Sequence, residues 1–545
     1  MTSAAARTAG PADPGSPWAP LRGKVFRVLW IASFVSNVGA WMQTVGAQWF
    51  LLDAHAGSTL VALVQSATSL PVFLLTLPAG VLAEFLDRRR VLLAVQCFQV
   101  VLTALLCLLT FSGHLTPTAL LLTTFLLGCG SAVQMPAYQA LVPTLVAPGQ
   151  IGAAASLSSI GVNLARAVGP AVAGLLVGSL GVGGLFALNG LTFAVFVVAL
   201  VSVPGRTGAH PGGPHPRFVQ GLQAGGRYVR HSPFVRRAML RLVLFVVPAN
   251  VLWALLPLVA RQRLGLGSAG YGLLLAAAGV GAVAGALLAP RLARVLDPTA
   301  RLAWSGVVFG VGMVVLGTGR SLPLALVTLL PVGVAWIVVI AGLNSAVQAS
   351  LPPWVRARAL SIYQVVLFSA TAAGAALWGV AAQRFGLPQA FGAAGVLLLA
   401  GAVSVRWWRL HELAAGAREV VDHWPSLDVA APGAPGPADR QDAHAGPVLV
   451  QIRYEVAPGR LPEFLSAAGP VEHSRRRTGA LSWDLYRCAD EPGVLVEQFS
   501  VADWDDHLAQ HRERLTRTDQ QDQERLRAAA TRVGPARHLV HVPRP

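Results

Sequence analysis

The chain has 545 residues, 54% of them hydrophobic and 12% charged, and its 42 Lys/Arg against 25 Asp/Glu leave a formal charge of +17. A hydrated surface needs roughly a quarter charged residues, yet between residues 25 and 410 the carboxylates number four: Asp53, Glu84, Asp87 and Asp297. That excludes a water-soluble body for this stretch, and because the positive charge lies in short connectors with no recognition motif beside it, it also argues against nucleic acid as a partner.

Charge divides the chain. Residues 1–410 hold 26 Lys/Arg against five carboxylates, a balance of +21, whereas 411–545 hold 16 Arg against 20 Asp/Glu, a balance of −4. Residues 1–20 form an Ala/Pro/Gly-rich lead expected to be disordered, and the first apolar run is too long for the core of a cleavable signal, so it is expected to stay as a first span. A helix needs roughly 20 apolar residues to cross the hydrocarbon core. On that ruler twelve spans are expected, at 25–52, 59–83, 91–112, 117–138, 153–179, 182–204, 236–260, 268–290, 302–319, 322–347, 359–383 and 387–408. The expected fold class is therefore an α-helical membrane protein of two six-helix halves, 21–204 and 236–410, with a small α+β domain behind it.

Arginines set the expected orientation. With the N-terminus inside, the inner connectors collect Arg22, Lys24, Arg27, Arg88, Arg89, Arg90, Arg206, Arg217, Arg227, Arg230, Arg236, Arg237, Arg291, Arg294, Arg301, Arg356, Arg358, Arg406 and Arg409, while Arg261, Arg263, Arg320 and Arg384 fall outside. Both termini then lie in the cytoplasm. The basic connector 205–235 separates the halves, and its second half reads either as an amphipathic helix on the inner membrane face or as solvated linker. Asn37 in span 1 and Asn250 in span 7 echo one another, as parallel-repeat transporters do, which puts a substrate cavity between the halves.

Within the spans the polar residues are mostly neutral amides. Asn37, Gln43, Gln134, Asn250, Asn344 and Gln348 are candidate cavity-lining residues, each with helix-to-helix hydrogen bonding as its alternative role. An amide-lined, otherwise apolar cavity suits a sizeable, partly lipophilic organic molecule better than a sugar or an inorganic ion. Arg166 falls about 20 Å into span 5 at 1.5 Å per residue, near the midplane, where a charge is paired or faces a wet cavity. It reads as structural or as a substrate-facing cation. No P-loop pattern occurs, so ATP drive within the chain is not expected, and no carboxylate or His stands mid-span to carry a proton. Cys97, Cys107, Cys129 and Cys488 have neither paired nor metal-ligand spacing, so neither a disulfide framework nor a metal or cofactor is expected.

The stretch GVLAEFLDRRR, with Gly80, Glu84, Asp87, Arg88, Arg89 and Arg90, resembles the signature loop of the major facilitator superfamily, with Glu84 where Asp is usual and Asp87 where Gly is usual. NLARAVGPAVAG, carrying Asn163, Arg166, Gly169, Pro170 and Gly174, is similar to the Gly-Pro motif of exporters in that superfamily. With MQTVGAQWFLL and NSAVQASLPPWVRARALS, the pattern resembles the transmembrane secretion effectors, a branch that includes siderophore exporters of the enterobactin-exporter type. The resemblance implies a bacterial plasma-membrane secondary transporter, not an enzyme. It further implies export of a small organic substrate, proton antiport, and a conformational clamp between the signature loop and the start of span 11 near Arg358.

After Arg409 the composition turns to an Ala/Pro/Gly/Asp-rich linker, 411–446. Residues 447–545 then alternate as strand 447–456, helix 461–476, strands 480–488 and 493–500, one helix 502–530, and a strand 538–542, a ferredoxin-like βαββαβ order. Through EVAPGRLPEF, RTGALSWDLYR and VEQFSVADWDDHLAQH this tail resembles the antibiotic-biosynthesis-monooxygenase-like dimeric barrels, a resemblance that implies dimerisation and makes Trp483, His507 and His511 a candidate site. Two other readings stay open: a membrane-tethered protein whose tail has monooxygenase-like activity, and an importer.

Overall fold

The computed structural model describes residues 18–85, 87–202, 218–408 and 446–541. Residues 1–17, 203–217 and 409–445, which take in most of the expected lead, the first part of the central connector and nearly all of the expected linker, lie outside the described residues. Contacts divide the chain into two compact units. One joins Met1–Gly212, Arg241–Gly342 and Gln364–Arg409; the other joins Gly213–Leu240, Leu343–Tyr363 and Leu410–Pro545.

The first unit is built of long apolar helices: α1 (Lys24–Asp53), α2 (Ser58–Phe85), α3 (Arg88–Phe111), α4 (Pro117–Leu141), α5 (Ile151–Ser202), most of α7 (Pro233–Leu258), α8 (Ser268–Val295), α9 (Pro298–Thr318) and α12 (Leu387–Val403), with the greater parts of α10 (Leu322–Ser350) and α11 (Pro353–Phe385). Eleven helices among the described residues are long and apolar enough to cross a bilayer. Helix α5, at 52 residues, would extend about 78 Å, more than twice the ~30 Å hydrocarbon core. It does not run straight: at Gly181 φ is 67° and ψ 177°, a backbone state that glycine adopts without a Cβ penalty.

Capping residues start the helices where the polarity breaks. Asp87 accepts from the Arg90 amide at 2.9 Å to open α3, Thr116 accepts from the Ala119 amide ahead of Pro117 to open α4, and Asp297 does the same for α9 through the Ala300 amide. Large apolar side chains such as Leu108, Phe111, Leu175, Leu287 and Val327 face outward, while Gln96, Gln99, Asn189 and Asn250 are fully buried. That inverted distribution is what a lipid-solvated bundle requires. Helix α1 packs along α5, α2 along α4, α5 along α8, and α9 along α12.

The second unit holds the tail domain. Its strands β1 (Val448–Glu455), β2 (Ser482–Arg487) and β3 (Val494–Val501) pair antiparallel in the order β2–β3–β1, and β4 (Thr531–Arg532) and β5 (Arg537–Val540) share the other edge of β1. Helix α13 (Leu461–Thr478) and helix α15 (Arg517–Ala529) cover one sheet face, where Phe464, Val471 and Leu526 pack on Val448, Val450, Tyr454 and Phe499. The expected single helix 502–530 is instead α14 (Trp504–Ala509), a π turn (Gln510–Arg514) and then α15. The break has a local cause: Thr516 and Asp519 form a reciprocal capping box that starts a new helix. The same unit contains α6 (Phe218–His231), the end of α10 and the start of α11. The described second part of the basic connector thus forms a helix, and it packs against α13.

Candidate functional site

At the end of α1 that carries Asp53, the two halves of the first unit meet along a polar seam. Gln48, 1% exposed, donates to the Trp253 carbonyl of α7 at 3.2 Å and accepts from the Tyr271 hydroxyl of α8 at 2.7 Å. The Trp49 ring stacks on Tyr271 at 6.2 Å, the Arg261 guanidinium lies 5.8 Å from the Trp49 ring centre, and Arg261 pairs with Asp53 at 2.5 Å. Across α2 and α11, the Ser58 and Thr59 hydroxyls donate to the Gly379 carbonyl at 3.2 and 3.3 Å, and Ser66 donates to the Ala372 carbonyl at 2.8 Å. Between α5 and α8 the backbones touch: a Cβ on Gly174 would lie 2.1 Å from the Gly272 Cα. Small residues permit this approach, and single hydroxyl and amide bonds hold it.

Sequence reasoning placed Gly174 in a motif but did not connect it with Gly272, nor Asp53 with Arg261. A signal was available. Asp53 closes span 1 and Arg261 closes span 7, opposite charges at corresponding ends of the two halves.

The span 5 motif lies against α1. Arg166 sits with its guanidinium 5.6 Å from the Trp41 ring centre, a cation–π geometry, and its Nε has no hydrogen-bond partner among the described residues. A Cβ on Gly169 would stand 2.6 Å from the Trp41 Cβ and 3.0 Å from the Val38 carbonyl oxygen, so glycine is what lets α5 pass Trp41. Pro170 is buried within the helix. The Asn163 side chain lies outside the described residues.

In the signature loop Arg88 donates to the Ala140 carbonyl at the end of α4, at 3.2 Å, and Arg89 to the Leu200 and Val201 carbonyls at the end of α5, at 2.9 and 3.1 Å. Both satisfy orphan carbonyls at helix C-termini and oppose the negative end of the dipole. These bonds stay within the first half. The Glu84 side chain lies outside the described residues, and Gly80 is described only as part of α2.

Most of the candidate cavity amides bind helices to themselves or to neighbours. Asn37 donates to the Ser33 carbonyl of its own helix at 2.7 Å, Asn250 to the Thr371 carbonyl of α11 at 2.8 Å, and Gln348 to Asn344. Gln43, 4% exposed, accepts from Asn189 at 3.4 Å. Gln134 is half-buried on α4. Trp253 and Trp336 belong to an aromatic cluster with Phe245 and Phe309. Arg241, which sequence reasoning did not single out, is 5% exposed. It donates to the Gly401, Ser404 and Trp408 carbonyls and the Ser404 hydroxyl, tying α7 to the end of α12.

In the tail, Trp483 and the two histidines belong to different contact networks. Its indole donates at 3.0 Å to Glu497, a fully buried carboxylate that also accepts from Arg475 and from the Tyr454 hydroxyl, each at 3.0 Å. His507 and His511 sit 4.7 Å apart, and the structure brings in His538 at 4.9 Å from His507, with Trp504 packed on both His507 and His538. Burial, then the neighbouring His538, pushes His507 down to about 3; burial, then His507, pushes His511 down to about 2. Both imidazoles are therefore neutral near pH 7. Among the described residues no three His, Cys, Asp or Glu side chains are placed to hold a metal.

The sequence model of the family described as transmembrane secretion effector matches residues 15–545. The chain belongs to that family. The match bears out the resemblance read from the signature loop and the span 5 motif, and it runs through the tail. This secretion effector is 27% identical over 409 residues to the multidrug efflux pump Tap of Mycolicibacterium fortuitum, covering 72% of this chain and 97% of the relative. It is 28% identical over 334 residues to the enterobactin exporter EntS of Shigella boydii, covering 60% and 75%. With the staphyloferrin A transporter of Staphylococcus aureus it shares 32% identity over 146 residues, 27% of this chain and 37% of that one. Among solved structures, a bacterial homolog of the human lysosomal transporter Spinster, inward-facing and unoccupied, superposes with a TM-score of 0.58 at 16% identity, covering 71% and 96%. The nucleoside transporter NupG gives 0.57 at 12%, covering 70% and 98%. Those two likenesses establish the fold of the helical bundle.

Proposed function

We propose that this secretion effector exports a siderophore-like or drug-like organic molecule by alternating access between two six-helix halves. The carrying observation is the family match, whose relatives include a multidrug efflux pump and an enterobactin exporter. The seam built on Gln48, Tyr271, Gly174 and Gly272 supports the alternating part, since it is a set of separable contacts between halves at one end of the bundle. In this reading the chain crosses the bacterial plasma membrane twelve times, Gly181 turns the fifth crossing into the sixth, both termini are cytoplasmic, and the Asp53 end is outer. Protons drive export, and the acidic tail is a cytoplasmic accessory domain that can pair two copies of the chain.

Accumulation of candidate siderophores and macrolides, measured in cells with and without the chain, tests the proposal. Lower accumulation with the chain, reversed on collapsing the proton gradient, is expected. Equal accumulation for every compound would refute export, and export that survives collapse would remove the proton.

A further inference from the structure

In the second unit the tail packs against two aromatic side chains outside it, Tyr228 of the connector helix and Trp354 of α11. Tyr228 of α6 is 1% exposed and donates to the Ser350 carbonyl at the end of α10, at 3.2 Å. Its ring meets Trp354, in the first turn of α11, edge to face at 6.0 Å. From the tail, the Arg477 guanidinium lies 5.9 Å from the Tyr228 ring centre and that of Arg514 lies 4.9 Å from the Trp354 ring centre. Neither arginine is a loose surface charge. Arg477 is held by the fully buried Asp519, and Arg514 by Asp506 and the Thr478 carbonyl. A guanidinium already fixed by a carboxylate spends little side-chain entropy on stacking, so its geometry is selective for an aromatic face.

Two further contacts close the arrangement. A Cβ on Gly225 would stand 2.9 Å from the Arg358 Cβ, so α6 lies backbone-close to α11. The His231 and His473 rings lie 6.2 Å apart, between the end of α6 and α13. Tail, connector helix and the α10–α11 turn are thus one packed body, while α10 and α11 continue onward as spans. The docked parts span the turn, touching Ser350 at the end of α10 and Trp354 at the start of α11, so they oppose any change in the angle between those two helices.

We propose that the tail is an intramolecular brake: docked through Arg477 and Arg514 onto Tyr228 and Trp354, it holds the α10–α11 turn in one transport state, and undocking is required for turnover. The inference rests on the transporter reading above. Each cation–π contact sets the docked-to-undocked ratio by about 2- to 30-fold.

The test uses the full-length protein with Cys97, Cys107, Cys129 and Cys488 replaced by serine. His231→Cys and His473→Cys are joined by a short bis-maleimide, and in parallel Arg514→Ala releases the tail. Efficient cross-linking with at least a tenfold fall in export, and a rise of export by about 2- to 30-fold in Arg514→Ala, are the expected results. Failure to cross-link overturns the docking. Cross-linking with unchanged export, or a fall of export in an Arg514→Ala protein that keeps the parent's melting temperature, overturns the brake. Cross-linking is read without transport, so loss of export in the parent itself would count against the exporter reading and leave the docking measurement standing.

Discussion

Gly272→Ala should loosen the seam between α5 and α8 and shift the protein toward the state in which the Asp53 end is open. The added Cβ would stand 2.4 Å from the Gly174 Cα and 3.0 Å from its carbonyl carbon, where carbon atoms ordinarily rest about 3.5–4.0 Å apart. Both neighbours are backbone, so no rotamer change relieves the clash and the helices must part by about 1 Å. Overpacking of that kind costs about 1–3 kcal/mol, and the cost falls only on the closed arrangement. An equilibrium between closed and open forms then moves by about 5- to 150-fold. Ser58→Cys, in a background without native cysteines, provides the reporter, because Ser58 is 8% exposed in the seam. Its labelling by a membrane-impermeant maleimide should accelerate by that factor when Gly272→Ala is added. Gly392→Ala is the control, since a Cβ there meets nothing within 4 Å. Labelling that accelerates equally in both, or in neither, would refute the argument that the Gly174–Gly272 approach holds this end shut.

Three other outcomes follow from named contacts. Asp53→Asn removes the pairing with Arg261, whose side chain is 37% exposed against 53% for Asp53; an exposed pair contributes about 0.2–1 kcal/mol. Labelling at position 58 should rise by only about 1.4- to 5-fold, and the swapped pair Asp53→Arg with Arg261→Asp should restore it. Arg241→Met strips four hydrogen bonds from the last turn of α12 and its continuation and should lower stability by about 2–4 kcal/mol, read as a fall in melting temperature in detergent. In the tail, His507 and His511 ordinarily titrate near 6.5 and are held neutral by burial. Unfolding lets them protonate, so their contribution is intact above pH 6.5 and is lost as pH falls below it, by about 1–3 kcal/mol for the two by pH 5.5. The protection factors of α14 and β5 against hydrogen exchange, taken relative to the intrinsic exchange rate at each pH, should fall at pH 5.5 relative to 7.5. The same change in a His507→Leu, His511→Leu protein would contradict this assignment.

The bundle was legible because lipid solvation writes itself along the chain: runs long enough to cross, arginines in the breaks, and Pro or Asp at the starts of helices. The kink at Gly181 falls in the glycine-rich break between the expected fifth and sixth spans. The split of the long tail helix was less visible, though its signal, Thr516 with Asp519 three residues on, is a local pattern that outweighs a continuous run of helix formers. The candidate site was only partly legible. Periodicity identifies that Gln48 or Gly174 lies on a helix but carries no information about which distant helix it meets, and the partners Tyr271 and Gly272 are more than 90 residues away along the chain. His538 joined the tail histidines for the same reason, through strand pairing with β1 rather than through spacing.

One correspondence bridges that gap. Parallel repeats place the ends of spans 1 and 7 at equivalent positions, so a residue at one end has a partner candidate at the other before any coordinates are known. Asp53 and Arg261 occupy those ends with opposite charge, and Asn37 and Asn250 occupy the interiors with the same amide. The structure joins the charged pair and separates the amides, which bond to Ser33 and Thr371 instead. Complementary residues at equivalent positions can meet across the symmetry axis, whereas like residues serve each half in its own packing. The charge swap at positions 53 and 261 therefore tests the repeat relation as well as the seam, since restored labelling requires the two ends to face one another.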